Sequence, residues 1–165
     1  MEFDYIIVGG GSAGCVLAAR LSEDPSVTVA LIEAGGNNDR VLNRVPTGAA
    51  LHIVRRNECN WAFSTVPQRG LGGRRGYQPR GRGLGGSSTL NAMLYLRGQR
   101  EDYDGWAADG APGWSWNDVL PYFIKAENNE RGGNSIHGNA GPLQVADLRS
   151  PHPAAALFIE AGQQA

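Results

Sequence analysis

The sequence predicts an α/β fold that opens with a strand–turn–helix–strand unit. Three observations carry that prediction. Residues 4–8 end in the β-branched, apolar run Tyr5-Ile6-Ile7-Val8, bounded by glycine as a short buried strand is. Over residues 12–22 the period becomes helical, with Ala13, Val16, Leu17, Ala18 and Leu21 on one broad apolar face. A turn over residues 22–26, containing Asp24-Pro25, then leads into a second apolar strand, Val27 to Ile32, that ends at Glu33. This is a βαβ unit, whose crossover is almost always right-handed.

The remaining elements follow from local pattern. Residues 35–85 are mostly irregular, apart from a short helix expected over Thr47 to Val54. A loop-rich stretch of that length is usually functional or ordered by a ligand. A helix is expected after Ser87, and another from Arg100 to Ala108, which Ala111-Pro112-Gly113 breaks off. Ser115 and Asp118 have capping-box spacing for a helix reaching Ala126, with Asp in place of the usual Glu. Pro121 lies inside it and is expected to bend it or confine its first turns. Residues 127–141 are polar and glycine-rich, hence a loop; Leu143, Val145 and Asp147 fit a short strand. The last helix opens over Ser150 to Pro153.

Composition narrows the function. With 165 residues the chain is one domain or a piece of a larger one. A net charge of −1 provides no global basic field for nucleic acid or membrane. No apolar run approaches the ~20 residues that span a bilayer. The apolar stretch Tyr5 to Ala19 resembles a signal h-region, but the charges before it, Glu2 and Asp4, are negative where a signal needs positive ones. Cys15 and Cys59 have neither metal-ligand spacing nor a disulfide framework. The expected setting is therefore reduced and cytoplasmic, with peripheral membrane association left open.

Two glycine-rich segments hold the functional information. In the first, Gly9, Gly11 and Gly14 satisfy G-x-G-x-x-G between a strand and a helix. Gly9 permits the tight turn, Gly11 lets backbone meet a pyrophosphate, and Gly14 allows close helix–strand packing. The N–H groups opening the helix, at Ser12 and Ala13, face the same anion. Glu33 ends the second strand 19 residues after Gly14, where a carboxylate bonds ribose hydroxyls and repels a 2′-phosphate. Ala34 follows it. The motif disfavours NADP but does not separate FAD from NAD.

The second segment lies in residues 69–86, which hold five arginines and eight glycines. Such a tract resembles RNA-binding RGG sequence, with Tyr77 available for stacking. Against that, the chain is not basic, and the tract runs into the apolar Leu90-Asn91-Ala92-Met93-Leu94-Tyr95-Leu96. A loop with solvated arginines is the plainer alternative.

Gly81-Arg82-Gly83-Leu84-Gly85-Gly86-Ser87-Ser88-Thr89-Leu90-Asn91, followed by Tyr95, Gly98 and Asp104, resembles the first signature of the glucose–methanol–choline (GMC) oxidoreductases. Asn60-Trp61, Pro67-Gln68, Pro112-Gly113-Trp114-Ser115-Trp116, Leu120-Pro121-Tyr122-Phe123, His137-Gly138 and Gly141-Pro142-Leu143 are also similar to that family, most of all to its bacterial choline and alcohol dehydrogenases. The resemblance covers nearly the whole chain and implies FAD. It implies a partial Rossmann-like FAD-binding domain, incomplete as a fold, with later sheet strands and the substrate domain absent from residues 1–165. It places the FAD pyrophosphate on Gly9, Gly11 and Gly14 and the adenosine ribose on Glu33, with Ser12, Ala13 and Ala34 as further cofactor-binding residues. Gly83, Gly86 and Asn91-Ala92-Met93-Leu94 belong to the second segment, with Gly83 and that last turn along the flavin. Some relatives carry a flavin-linking histidine where this chain has Leu90, so the FAD is expected to be non-covalent.

The implied reaction is oxidation of a small-molecule alcohol by hydride transfer to FAD, with a separate electron acceptor. A catalytically inactive FAD-binding remnant and an unrelated NAD-binding module are the alternatives. The family's catalytic histidine lies in a later region, and His52, His137 and His152 stand in no matching context, so no catalytic residue and no metal ligand is assigned in this chain.

Overall fold

The computed structural model of the protein describes residues 2–37, 39, 41–54 and 58–164, and the chain divides into two units, Met1–Leu94 and Tyr95–Ala165. The first unit opens with β1 (Tyr5–Val8), α1 (Ser12–Leu21) and β2 (Val29–Ile32). β1 and β2 pair in parallel, with Tyr5 opposite Val29 and Val8 opposite Ile32. Both ends of the ladder are fixed by further bonds. Gly9 N donates to Ile32 O at 2.7 Å. At the other end the Asp4 carboxylate accepts from Thr28 N at 2.8 Å and Thr28 Oγ1 at 2.7 Å. The predicted βαβ unit is therefore present.

The helix reaches its strand because residue 14 is glycine. A Cβ there would lie 1.9 Å from Gly9 O, far inside contact distance. Gly14 is also the buried residue of α1. Ile6 and Val8 remain 61% and 82% exposed, although their sequence pattern is that of a covered strand.

Between β2 and residue 94 the chain is organised by turns. α2 (Val41–Arg44) and α3 (Pro46–Ile53) are short, and α3 begins with proline at its first position, where the missing N–H costs nothing. β3 (Phe63–Ser64) and β4 (Tyr77–Gln78) form a two-residue antiparallel ladder that local pattern did not reveal. Its tip is a 3₁₀ turn, Arg69–Leu71, followed by Gly72 and Gly73 at φ +61° and +80°. The arginine-rich tract thus folds into a hairpin. Its guanidinium groups serve local carbonyls: Arg74 bonds Leu71 O, Arg75 bonds Thr65 O and Arg80 bonds Pro79 O.

The helix expected after Ser87 is only a 3₁₀ turn, Gly86–Thr89. Asn91 stops it. Its Oδ1 accepts from Met93 N at 2.9 Å, and Met93 adopts φ +56°, so the side chain takes the bond a helix would need.

The second unit contains α4 (Arg100–Ala108), α5 (Trp116–Ala126), β5 (Glu127–Asn129), β6 (Leu143–Val145) and α6 (Pro153–Gln164). α4 has the expected limits. The capping box of α5 forms as predicted, with the Asp118 carboxylate accepting from Ser115 N at 3.1 Å. Pro121 sits inside the continuous helix. Tyr103, Trp106, Trp116 and Phe123 pack edge-on or tilted between α4 and α5, with centroids 5.3–5.7 Å from Tyr103.

One expectation changes here. Residues 127–141 are not all loop, because Glu127–Asn129 is a strand. The strand near residue 145 pairs in parallel with it and adds nothing to the β1–β2 sheet. The glycines of the connecting loop make this possible. A Cβ at Gly138 would lie 1.9 Å from Ile124 O, and one at Gly141 2.2 Å from Ala126 C, so only glycine lets the loop fold back against the end of α5.

Glu127 anchors this unit. It is fully buried, and its carboxylate accepts from Arg97 Nη2 at 2.5 Å, Asn129 Nδ2 at 2.9 Å and Gly138 N at 3.2 Å. His137 Nδ1 lies 3.0 Å and 3.1 Å from its two oxygens and must be the donor, since an ionised carboxylate only accepts. Burial by itself raises the Glu127 carboxyl, but the bonds from Asn129, His137 and Gly138 and the charge of Arg97 outweigh it and hold the group below the ordinary carboxylate value. Removing the carboxylate strands the Arg97 charge, and Glu127→Ala is expected to cost about 3–5 kcal/mol, read as a lowered urea midpoint. Because the folded-state value is depressed, the Glu127 contribution is complete above the unfolded carboxylate range and is lost as pH falls through the depressed value. Acid unfolding of Glu127→Gln should accordingly show a weaker pH dependence than wild type.

Candidate functional site

The site begins at the turn between β1 and α1. Gly9 takes φ +101°, a region that side chains rarely adopt. A Cβ at Gly11 would meet nothing within 4 Å, so the backbone there faces open space. Gly11 is the N-cap of α1, no side chain caps the helix, and its first turn holds no acidic residue. The opening N–H groups of α1 therefore keep their partial positive charge without an acidic side chain in the helix's own first turn. Ser12 reaches sideways to the second glycine segment, its Oγ 3.0 Å from Ser88 Oγ.

The end of β2 brings Glu33 to the same turn. Its Oε2 accepts from Gly10 N at 2.6 Å, and its Oε1 from Gly35 N at 2.9 Å and Gly83 N at 3.0 Å. These backbone donors, Gly35 first and then Gly10, hold the carboxyl below its ordinary value against the opposing effect of burial. The group is thus ionised through the neutral range.

Further bonds join the two glycine segments and the chain after β2. Gly85 N donates to Gly10 O at 2.7 Å, and Leu84 N to Gly36 O at 2.8 Å. Arg82 Nη2 donates to Ala34 O at 3.0 Å. Close approach explains the residue types. A Cβ at Gly35 would lie 2.5 Å from Gly83 N, and one at Gly86 2.8 Å from Gly11 Cα.

A cleft of about 500 Å³ opens over this junction, within the ~300–1,000 Å³ usual for ligand pockets. Gly9, Gly11, Glu33, Ala34 and Gly86 line it, together with Trp61 and Phe63 from the hairpin. Trp61 and Phe63 stack at 5.8 Å with an interplanar angle of 9°, and the Arg82 guanidinium lies 4.7 Å from the Trp61 ring centroid.

The predicted site residues fall into four groups, of which Ser12 and Ala13 are exposed at the start of α1 and outside the cleft lining. Gly9, Gly11, Glu33, Ala34 and Gly86 share the cleft. Gly14 and Gly83 are buried, Gly14 beneath the turn and Gly83 against Glu33, at the end that the resemblance gives to adenosine. Asn91, Ala92, Met93 and Leu94 lie outside the cleft lining, in an exposed irregular stretch. Leu90 is buried. Sequence reasoning did not assign Trp61, Phe63 or Arg80 to the site. The signal for Trp61 was its place beside Asn60 in a family-like dipeptide, which carries no ligand chemistry of its own.

The three histidines are occupied elsewhere. His52 is buried and does not line the cleft. His137 is bonded to Glu127, and His152 Nδ1 accepts from Ala154 N at 3.1 Å. Among the described residues no cluster of His, Cys, Asp and Glu could hold a metal ion.

A βαβ unit with a glycine turn, an uncapped helix start and a carboxylate ending the second strand defines the Rossmann-like class of dinucleotide-cofactor domains. Within that class the chain belongs to the GMC oxidoreductase family, whose profile matches residues 3–165. It is 48% identical over 164 residues to an alcohol dehydrogenase [acceptor] of Pseudomonas putida, and 47% identical over 170 residues to the mitochondrial choline dehydrogenase of Homo sapiens. Each match covers 99% of this chain but only 30% and 29% of the relative. The chain therefore spans under a third of the length of the curated relatives it matches.

Solved structures agree. Pyridoxine 4-oxidase from Mesorbium loti superposes with a TM-score of 0.89 at 42% identity, over 99% of this chain and 32% of the other. An FAD-dependent oxidoreductase from Chaetomium thermophilum gives 0.83 at 35% identity, over 99% and 29%. The α/β class and its partial character follow from these matches.

The glycine contacts make a direct prediction. Gly35→Ala places a methyl group where Gly83 backbone now lies, so the glycine segments must separate. Cofactor affinity of the full-length protein should fall by at least about tenfold, measured by flavin fluorescence titration, because even a ~1.4 kcal/mol distortion has that effect. Gly36→Ala, whose Cβ meets nothing within 4 Å, should bind as wild type does.

Proposed function

We propose that this chain is the FAD-binding portion of an enzyme that oxidises an alcohol, a CH–OH donor, and passes the electrons to a separate acceptor. The observation that supports this most is the junction of both glycine segments at Glu33, beneath a cleft floored by glycine backbone and walled by Trp61 and Phe63. The residues fit the cofactor. The open backbone at Gly9 and Gly11 and the N–H groups of Ser12 and Ala13 suit its pyrophosphate, and Gly14 lets them approach. Glu33 lines the cleft and is only part-buried, which suits its carboxylate to a ribose hydroxyl beside Ala34. Trp61 and Phe63 present an apolar, aromatic wall to the adenosine end. Gly86 closes the second segment onto the first, and Asn91-Ala92-Met93-Leu94 extend toward the flavin end.

When bound, FAD supplies the hydride acceptor. The chain's own residues contribute binding and orientation, not proton transfer. A general base must lie within hydrogen-bond reach of the substrate hydroxyl, whereas His137 and His152 are committed to other contacts and His52 is buried away from the cleft. The 165 residues alone are therefore expected to hold cofactor without turnover, and the base, the substrate pocket and the remaining sheet strands to come from the rest of the protein. Those strands would cover the exposed Ile6 and Val8.

We further propose that the FAD is held non-covalently, because Leu90 cannot bond to flavin. Among the described residues no helix is long and apolar enough to cross a membrane. A cytoplasmic setting with optional peripheral membrane association is the proposed location.

The experiment is the visible spectrum of the purified full-length protein, followed by acid precipitation. A flavin spectrum before precipitation, with the yellow colour moving wholly into the supernatant, is expected. A colourless protein that binds NAD would overturn the FAD assignment, and a yellow pellet the non-covalent one. Trp61→Ala should weaken flavin binding by about ten- to a hundredfold if the indole stacks on the cofactor, as aromatic stacking is worth ~1–3 kcal/mol per base.

A further inference from the structure

We propose that Glu33 is a positioning residue that assembles the cofactor cradle before cofactor arrives, by holding the second glycine segment against the first. This rests on the FAD reading of the cleft but assigns Glu33 a task separate from contact with ribose. Three backbone N–H groups from three places in the chain converge on one carboxylate: Gly10 at 2.6 Å, Gly35 at 2.9 Å and Gly83 at 3.0 Å. Gly83 is 50 residues away in sequence, and Glu33 is its link to β2. Only an acceptor without hydrogens satisfies such a set. A carboxamide would turn an N–H₂ group toward one of the three donors.

The bonds are also placed where assembly is decided. Gly10 and Gly35 belong to the first segment's turn and to the chain just after β2, and both are near Glu33 whatever the second segment does. Gly83 is the partner that must be brought in. Once it is in place, Gly85 N reaches Gly10 O, Leu84 N reaches Gly36 O, and Gly86 lies against Gly11. The other side-chain bonds between the segments, Arg82 Nη2 to Ala34 O and Ser12 Oγ to Ser88 Oγ, each bring a single contact, and most residues on both sides are glycine. Unfixed glycine backbone loses more conformational freedom on ordering than any other residue. A charged acceptor offsets that cost better than a neutral one, since hydrogen bonds to ionised groups are roughly twice as strong. The cradle of this chain is therefore expected to be formed in the cofactor-free protein.

The test uses the full-length protein stripped of flavin, as wild type, Glu33→Gln and Glu33→Asp. Hydrogen exchange is followed in peptides covering residues 9–11 and 81–86, with residues 100–126 as the internal control. In the cofactor-free state both glycine segments of wild type should be protected. In Glu33→Gln they should exchange at least about tenfold faster while the control is unchanged, with Glu33→Asp between the two. Stopped-flow binding should show the FAD association rate falling in Glu33→Gln, because only the assembled fraction of molecules can bind.

Equal exchange of wild type and Glu33→Gln without cofactor, with only the dissociation rate raised, would overturn the proposal and leave Glu33 as a ribose ligand alone. Exchange of 81–86 at unstructured rates in cofactor-free wild type would overturn it without recourse to any variant. Failure of wild type to bind FAD, with the exchange difference intact, would overturn the cofactor assignment and support the positioning role.

Discussion

A single carboxylate joins the parts of this site. Glu33 ends β2, so its position is fixed by the parallel ladder with β1. From there it gathers N–H groups of the turn before α1, of the chain after β2 and of the second glycine segment. Each of these segments is short of side chains and cannot build a packed core. What they can offer is backbone donors, and Glu33 is an acceptor at the one point that all three can reach. The sheet therefore defines the site by defining where Glu33 stands.

The glycines are the other half of the same constraint. Backbone bonds between two loops require the chains to approach within a distance that a Cβ would occupy. The clashes at positions 14, 35 and 86 are with backbone atoms, which cannot rotate aside as a side chain can. Gly11 is different, because its missing Cβ opens onto empty space. Glycine thus has two uses in one cradle: it brings the loops together from behind and leaves their front surface bare. An anionic ligand lying across that surface meets N–H groups rather than side chains, and the uncapped start of α1 adds its dipole.

What the sequence made legible was whatever is local. The β1 strand, the α1 helix, the Ser115–Asp118 capping box and the limits of α4 each depend on residues a few positions apart, and each is present, although Ile6 and Val8 of β1 and Val16 and Leu17 of α1 stay exposed. The failures are of another kind. β3, β4 and β5 are two or three residues long, too short for any period, and exist because a distant segment lies alongside. The apolar residues around 145 correctly signalled a strand, but nothing in them named Glu127–Asn129 as its partner. Likewise the helix expected after Ser87 failed through Asn91, whose side chain competes for the backbone. In the site, spacing alone singled out Glu33, whereas its bond to Gly83 spans 50 residues and could only be seen once the loops were folded. Trp61 was missed for the same reason: its ring joins the cleft because the hairpin places it there.

This division between local and distant information also explains how the function is distributed. A pyrophosphate cradle needs backbone amides and a turn, which a contiguous βαβ unit provides, and so a chain spanning 30% of its relatives can carry much of the cofactor's binding site. Proton removal from an alcohol needs a side chain of suitable basicity held at hydrogen-bond distance from the substrate. Glu33 and Glu127, each bonded by several donors, have their carboxyls pushed down, which makes them poor proton acceptors. The same bonds that make them good scaffolding disqualify them from acid–base work. The base of the proposed enzyme is therefore expected to be a group other than these two carboxylates.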